Sequence, residues 1–429
     1  MTELAWIDAA ISAARPRALA ALLRYFRDLD IAEEAVQDAC LKALSTWPKN
    51  GPPRDPEAWL IMVGRNVAID ATRRRRKQEP LPPEDAISDL EDAETALAER
   101  LDDAHYRDDI LRLLFICCHP ELPATQQIAL ALRVVSGLTV PEIARAFLVS
   151  ESAMEQRITR AKRRVAEARV PFEAPGASER AERIAAVAAV IYLIFNEGYS
   201  ASGGEMHVRA ALCEEAIRLA RLLLRFFPAE PEIMGLAALL MLQHARTPAR
   251  LDADGAIVLL EDQDRGLWGR TMIAEGLALL DKAMRHRSPG PYQVQAAIAA
   301  LHARATRPED TDWAQIDALY ATLEQMQPSP VITLNRAVAV SKARGAAAAL
   351  DMIEPLAEQL GGYFYFFGVK GGLLLQLGRA EEARAAFDQA IARANTAAEA
   401  VHIRMQIDRL IRENDPARTG VGRDNSSEA

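Results

Sequence analysis

Long apolar runs are missing from this sequence. No stretch approaches the roughly 20 consecutive apolar residues that a membrane-spanning helix needs, and the longest, around 185–195, is followed by the polar pair Asn196 and Glu197. The N-terminus carries neither the basic region nor the apolar segment of a secretory signal. These absences predict a cytoplasmic protein without membrane contact.

Cysteine is scarce too, at four residues in a chain of 429. The four lie on apolar helical faces without a paired framework, which is typical of a reduced protein. Cys117 and Cys118 are adjacent, so on a helix their side chains point about 100° apart, and no second ligand pair lies nearby. We interpret both as buried packing residues and predict no metal site.

Catalytic motifs are absent as well. The sequence contains no glycine-rich phosphate loop, no nucleophile elbow and no HExxH pair. We therefore expect neither enzymatic activity from this chain alone nor a bound cofactor. β-Branched runs are scarce, whereas Ala, Leu, Arg and Glu dominate, and this composition predicts an all-α fold.

Charge is distributed unevenly along the chain. The formal net charge of −9 argues against a uniformly basic surface for nucleic acid. Residues 79–109, however, hold twelve acidic residues and two basic ones, so the segments on both sides are together net basic. This pattern predicts an acidic linker between two basic modules.

The segment up to residue 77 has apolar residues at helical spacing. Trp47-Pro48 and the cluster 51–53 predict the end of one helix and a loop. Another helix is predicted to start at Asp55-Pro56, because aspartate is a good N-cap and proline suits the first turn. It ends in the basic run 73–77, which is typical of a solvated helix end or of a DNA contact.

A helix-turn-helix is predicted near residue 150. Thr139 and Glu142 have capping-box spacing, and Ser150 can cap the following helix. The apolar stripe of that second helix consists of Met154, Ile158, Ala161 and Val165. Residue types that contact bases and phosphates are found at Ser152, Glu155, Gln156, Arg157, Thr159, Arg160 and Arg163. An ordinary solvated amphipathic helix is the alternative.

The order of these motifs resembles the sigma-70 family, in its extracytoplasmic-function group. Residues 25–44, with the run DIAEEAVQDA, resemble the part that binds core RNA polymerase. Residues 56–77 (PEAWLIMVGRNVAIDATRRRRK) resemble the following helix, which contacts the −10 element, and residues 121–165 resemble the domain that contacts the −35 element. The resemblance covers roughly residues 19–169.

This resemblance implies partners and roles. The partners are promoter DNA and the β′ and β subunits of core RNA polymerase, with the acidic linker threading the polymerase channels. Polymerase contacts fall on Glu34, Gln37, Asp38 and Leu41. Contacts to the −10 element fall on Trp59, Arg65, Asn66, Asp70, Arg73 and Arg74. The loop around 47–55 would help to capture an unstacked base, and the seven polar residues of the second helix would contact the −35 element.

Breaks divide the long extension after residue 175 into helix pairs of similar length, which predicts a helical repeat. The offsets of a TPR motif are matched by Gly371, Gly378, Ala383, Phe387 and Ala390. In such a motif the small residues allow close packing, and the phenylalanine fills the interface. Polar residues at 196–197 and 262–265 suit either a binding site or helix caps.

Segments 195–200 and 262–268 resemble the TPR-like extension of one subgroup, where it is thought to control sigma activity. We favour docking of the extension on the sigma core or polymerase, or binding of a peptide or protein partner in a groove, over an enzyme.

The predicted domains are a sigma-2-like domain (1–77), an acidic linker (78–109), a sigma-4-like domain (110–172), a TPR-like extension (178–412) and a disordered tail (413–429). The sequence favours a sigma factor that directs transcription initiation at −35/−10 promoters, with a C-terminal regulatory domain. A helix-turn-helix regulator with a TPR-like sensing domain is the alternative. A pure scaffold would leave the first 170 residues unexplained.

Overall fold

A computed structural model describes residues 5–77, 103–147, 149–168, 177–199, 206–252, 258–394 and 403. These residues form α-helices and short 3₁₀ helices, with no extended strand among them, so the all-α prediction is confirmed. The chain divides into two compact units, Met1–Gly198 with Glu214–Phe226 and Tyr199–Cys213 with Phe227–Ala429. Most of the predicted acidic linker and all of the predicted tail lie outside the described residues.

The first unit begins with a bundle of three helices. Its helices are α1 (Ala5–Phe26), α2 (Leu29–Asn50), α3 (Pro56–Lys77), α4 (Asp103–Cys117), α5 (Ala124–Val134), α6 (Val140–Ala146) and α7 (Glu151–Glu167). Two further helices, α8 (Ala177–Tyr199) and α9 (Met206–Phe226), each contain residues of both units. Helices α1, α2 and α3 pack against one another, and Gly64 makes this possible. A Cβ there would lie 2.8 Å from the carbonyl oxygen of Ala35 on α2.

Local chemistry sets the ends of α2 and α3. Asp55 Oδ1 accepts hydrogen bonds from the backbone N–H groups of the next helix at 3.0 and 3.1 Å, as its capping role predicts. Of the two signals predicted to end α2, the cluster 51–53 is confirmed, whereas Pro48 lies inside a helix that continues to Asn50. A proline in the last turn removes a single hydrogen bond. The helix ends instead at Gly51, whose φ is +81°.

Most helices of the second unit begin at, or shortly after, a proline or a glycine. They are α10 (Pro231–His244), α11 (Arg270–Arg285), α12 (Pro291–Arg304), α13 (Trp313–Met326), α14 (Pro330–Arg344), α15 (Ala346–Ile353), α16 (Phe364–Gln376) and α17 (Ala380–Ala392). Short 3₁₀ helices span Thr247–Ala249, Arg265–Leu267, Pro308–Asp310 and Glu354–Leu356. Proline opens α10, α12 and α14, as expected for the first turn. The break between α14 and α15, at Gly345 with φ +96°, was not predicted.

Polar groups join neighbouring helices of the second unit. The Glu232 carboxylate on α10 accepts from the backbone N–H groups of Tyr292 and Gln293, each at 3.1 Å, at the start of α12. Asp317 of α13 is buried and forms ion pairs with Arg336 and Arg344 of α14. Buried charges that are paired in this way fix the register of the helices they join.

Helices α16 and α17 pack as the TPR offsets predict. A Cβ at Gly371 would lie 2.5 Å from the ring of Phe387, so the glycine makes room for that ring. Phe387 is buried together with Ala383 and Ala390 on α17. Gly378, with φ +72°, lies in the turn between the two helices. The packing at these positions is therefore confirmed, whereas the TPR-like character of the whole extension and the predicted domain limits stay predictions.

Candidate nucleic-acid interface

The helix-turn-helix is present with the predicted caps. The Thr139 backbone N–H donates to Glu142 Oε2 at 2.7 Å, and the Glu142 N–H donates to Thr139 Oγ1 at 3.4 Å. The hydrogen bonds from Thr139 hold the pKa of Glu142 below its ordinary value. Ser150 Oγ accepts from the Ala153 N–H at 3.2 Å and so caps α7. A reciprocal capping box thus fixes the start of α6, and a single serine cap fixes the start of α7.

Helix α7 separates an apolar stripe from a polar surface. Met154, Ile158 and Ala161 are buried, and Val165 is half-buried. The exposed residues among those predicted to contact the −35 element are Ser152, Glu155, Gln156, Thr159, Arg160 and Arg163. Arg157 is half-buried. The apolar side of α7 therefore packs against the protein, and its polar sides are exposed to a ligand. A recognition helix requires this division.

The structure adds a residue that sequence reasoning missed. Lys162 on α7 forms an ion pair with Glu33 on α2 and donates to Asp30 Oδ1 at 3.1 Å. Burial acts to lower the pKa of Lys162, but the charges and hydrogen bonds of the two carboxylates outweigh it and raise that pKa. Lys162 is thus engaged with α2, unlike the exposed Arg160 and Arg163 beside it.

The residues predicted to bind polymerase share one surface of α2. Glu34, Gln37 and Leu41 are exposed and Asp38 is half-buried, at the i, i+3, i+4, i+7 spacing of one helix face. Leu41 is 59% exposed. The opposite face of α2 is buried through its alanines and Val36. The surface combines an acidic character with an apolar side chain that the bundle does not cover.

Among the residues predicted to contact the −10 element, some contact aromatic rings of the bundle and others are exposed. The Trp59 ring meets the buried Trp47 ring edge-on, with centroids 5.3 Å apart. The Arg65 guanidinium lies 5.8 Å from the Tyr25 ring centre. Asn66 is exposed and Asp70 is half-buried. Arg73 and Arg74 belong to α3, but their side chains lie outside the described residues.

Two family models match the region of the three-helix bundle and the region of the helix-turn-helix. Residues 10–78 match the family model of sigma-70 region 2, and residues 112–165 match that of sigma-70 region 4. The chain belongs to the sigma-70 family. Proteins of this family are transcription initiation factors, and the two regions give this sigma-70 protein its role in promoter recognition.

The extension of this sigma-70 protein has relatives of its own. Residues 183–284 match a family of unknown function, DUF6596. A protein of Rhizobium meliloti (strain 1021), described as uncharacterized, is 69% identical over 413 residues, which cover 96% of this chain and 98% of the relative. That likeness therefore spans the sigma regions and the extension alike. No solved structure matches.

Three of the four cysteines of the sigma-70 protein are buried, and Cys40 is half-buried. Cys117 and Cys118 are buried, and burial raises the pKa of the Cys118 thiol to about 12. Across the described parts of the chain, no three His, Cys, Asp or Glu side chains are grouped so that they could hold a metal ion. Nor does any described helix have the length and apolarity to cross a bilayer.

Two polar residues from the 262–268 segment act as helix caps. Asp264 Oδ1 accepts from the Gly266 N–H at 2.8 Å and opens the 3₁₀ helix there. Arg265 donates to the carbonyl oxygens of His302 and Ala305 at 2.7 and 2.6 Å, at the end of α12. Asp262 is exposed. Asn196 and Glu197, the other polar pair noted in the sequence, are half-buried on α8.

Proposed function

We propose that this protein is a promoter-specificity subunit of the extracytoplasmic-function type, which acts in the cytoplasm with core RNA polymerase. Helix α7 binds the −35 duplex, α3 with the loop before it binds the −10 element, and α2 binds the polymerase β′ subunit. The observation that carries the proposal is the geometry of α7. Its apolar stripe is buried, while most of its predicted DNA-contacting residues are exposed.

The exposed residue types of α7 suit duplex DNA. Arg160 and Gln156 are neighbours on the exposed surface, and Arg160 Nη2 donates to Gln156 Oε1 at 3.4 Å. Arginine and glutamine can each make bidentate contacts with base edges in the major groove. Further exposed arginines at 163 and 164 can neutralise backbone phosphates.

The surface of α2 supports the polymerase assignment. An aliphatic side chain that is 59% exposed among Glu34, Gln37 and Asp38 suits a protein partner that buries the leucine and pairs with the acids. A helix-turn-helix regulator that works without replacing the housekeeping sigma factor has no need of such a face. Polymerase binding therefore discriminates between the two candidate functions.

The test is reconstitution with core RNA polymerase that lacks sigma. We expect the purified protein to form a stable complex with core enzyme and to give run-off transcripts from the region upstream of its own gene. Leu41→Arg should abolish the complex, whereas Leu267→Arg, at a leucine that is 54% exposed in the second unit, should leave it intact. Failure of the wild-type protein to bind core enzyme would favour the regulator.

We further propose that the extension controls sigma activity, through an intramolecular contact or a protein partner. Its regular helix pairs, such as α16 and α17 around Phe387, are typical of partner-binding helical repeats. A deletion that tests this should begin after Phe226, because Glu214–Phe226 belongs to the first compact unit. We expect transcription by residues 1–226 to differ from that of the full chain, and equal activity would contradict a regulatory role.

A further inference from the structure

Two arginines of the second unit lie over one tryptophan, and the charge of a third, Arg250, acts on one of them, Arg246. The guanidinium carbons of Arg246 and Arg265 lie 5.5 and 5.1 Å from the centre of the Trp268 ring, which is 4% exposed. The guanidinium of Arg250 lies 3.7 Å from the centre of the Tyr199 ring. Tyr199 is connected to Arg246 because both donate to Gln243 Oε1, at 3.1 and 3.3 Å.

The hydrogen-bond partners of these arginines are neutral. Arg246 donates to two glutamine side chains, Gln243 and Gln263, and Arg250 donates to the Tyr199 carbonyl at 2.7 Å. Arg265 donates to two backbone carbonyls and to the hydroxyl of Thr311. Within the described residues, none of the three arginines forms an ion pair with a carboxylate.

Three carboxylates close in sequence or in charge interaction to these arginines are engaged with other groups. Asp264 caps the 3₁₀ helix through the Gly266 N–H. Asp310 accepts from Arg307 at 3.0 and 3.2 Å. Glu261 pairs with Lys342 at 2.6 Å. The charges of Asp310 and Glu309 act on Arg265, but among the described residues none of the three guanidinium groups has a carboxylate in ion-pair contact, although partly buried charges are costly without a close partner.

Buried hydrogen-bond donors in the same cluster are also unused. Trp268 Nε1 and Arg265 Nε are buried and have no hydrogen-bond partner in the part of the chain that the structure describes. His302, whose Nδ1 is likewise buried and unpaired, has its pKa lowered to about 4 by burial and by the charges of Arg246 and Arg265, so it is neutral near pH 7. Native proteins rarely leave buried donors unpaired, so these two N–H groups are candidate donors to a bound acceptor.

We infer that this cluster binds a small anionic ligand through an oxyanion group, either a carboxylate or a phosphate. One such group supplies both the negative charge that the arginines lack and the acceptors that Trp268 and Arg265 lack. Guanidinium groups hold these planar or tetrahedral oxyanions with paired hydrogen bonds. The inference goes beyond the proposed function and does not depend on it, because it concerns only side chains of the second unit.

The test follows the indole N–H of Trp268 in the full-length protein. The chain has five tryptophans, and the ¹⁵N-indole resonance of Trp268 is assigned by its loss in Trp268→Phe. Inorganic phosphate, citrate and acetate are titrated separately at roughly 0.15 M total ionic strength, with chloride as the balancing salt. We expect a saturable shift of the Trp268 resonance with phosphate or with a carboxylate, and the anion that gives it distinguishes the two ligand classes.

Substitutions of the arginines test whether the anion binds at this cluster. Arg246→Gln and Arg250→Gln should each weaken the apparent affinity about tenfold or more, whereas Arg285→Gln, at an exposed arginine of α11, should leave it unchanged. Circular dichroism checks that each variant folds. If Arg246→Gln does not fold, Arg246→Lys, which keeps the positive charge, is measured in its place. No saturable shift of the wild-type resonance with any of the three anions overturns the inference. So does unchanged affinity in folded variants of both Arg246 and Arg250.

Discussion

Lys162 on α7 forms an ion pair with Glu33 on α2, and the side chains of the two residues are only 20% and 11% exposed. The Lys162 ammonium also donates to Asp30, which lies 132 positions away in the sequence. Arg133 approaches Glu33 as well, with its Nε 3.9 Å from the carboxylate. A mostly buried ion pair thus connects the helix proposed to bind the −35 element with the helix proposed to bind polymerase.

Replacing Lys162 by methionine should destabilise the first unit. The change leaves Glu33 mostly buried without its closest cation, with Arg133 at 3.9 Å and the charge of Arg15 as the remaining positive charges. Loss of one partner from a largely buried pair costs about 1–3 kcal/mol of unfolding free energy. Urea unfolding followed by circular dichroism measures the loss.

A matched lysine and a double-mutant cycle assign the effect to the pair. Lys49→Met removes an exposed lysine from α2 and should change the unfolding free energy by less than about 0.5 kcal/mol. Lys162→Met combined with Glu33→Met should cost less than the sum of the single changes, because the two residues interact directly. Additive costs would show that the ion pair contributes nothing.

From neutral pH upward, Lys162 should make stability depend on pH only under alkaline conditions. The pKa of Lys162 in the folded protein lies above its ordinary value of 10.5, so its contribution is complete below pH 10.5 and is lost as pH rises through the folded-state pKa. The difference in unfolding free energy between wild type and Lys162→Met should therefore be constant from about pH 7 to pH 10 and shrink above that range. A difference that shrinks already near neutral pH would contradict the assignment to Lys162.

Local signals in the sequence were sufficient for the helix-turn-helix. Thr139, Glu142 and Ser150 act within three or four residues of their partners, so their spacing alone predicts where α6 and α7 begin. The buried stripe of Met154, Ile158 and Ala161 follows from helical periodicity in the same way. The exposed position of Leu41 could not be deduced in this manner, because it depends on which faces of α2 the neighbouring helices cover.

Contacts between segments that are distant in the sequence could not be predicted from sequence patterns. Nothing near Lys162 marks it as the partner of Glu33, since only the fold brings α7 to α2. The arginine cluster around Trp268 likewise draws Arg246 and Arg265 from separate segments. The break at Gly345 was missed for a different reason, because the alanine-rich residues on both sides have high helix propensity and conceal it.

Two adjacent glycines of α16 should respond oppositely to alanine. At Gly371 a Cβ would lie 2.5 Å from the Phe387 ring, which is buried and cannot move away freely, so Gly371→Ala should cost about 1–3 kcal/mol. At Gly372 no atom lies within 4 Å of the added Cβ, so Gly372→Ala should stabilise the helix by about 0.5–1 kcal/mol. Thermal unfolding of both variants makes the comparison, and equal effects would mean that α16 and α17 do not pack through Gly371.

Promoter binding should depend on Arg160 more than on an arginine outside the interface. Arg160 is exposed on α7 and donates to Gln156, so its guanidinium is oriented for a base or phosphate without any cost to the buried stripe of that helix. Arg160→Ala should therefore weaken binding of the reconstituted holoenzyme to its promoter by about 1–3 kcal/mol, with no change in affinity for core enzyme.

Electrophoretic mobility shift with −35 variants measures the loss of promoter affinity in Arg160→Ala. If Arg160 contacts a base, one −35 position should become indifferent to substitution, whereas a phosphate contact should weaken all −35 sequences equally. The control Arg285→Ala should bind every promoter like the wild type, and an Arg160→Ala protein that did the same would remove α7 from the DNA interface.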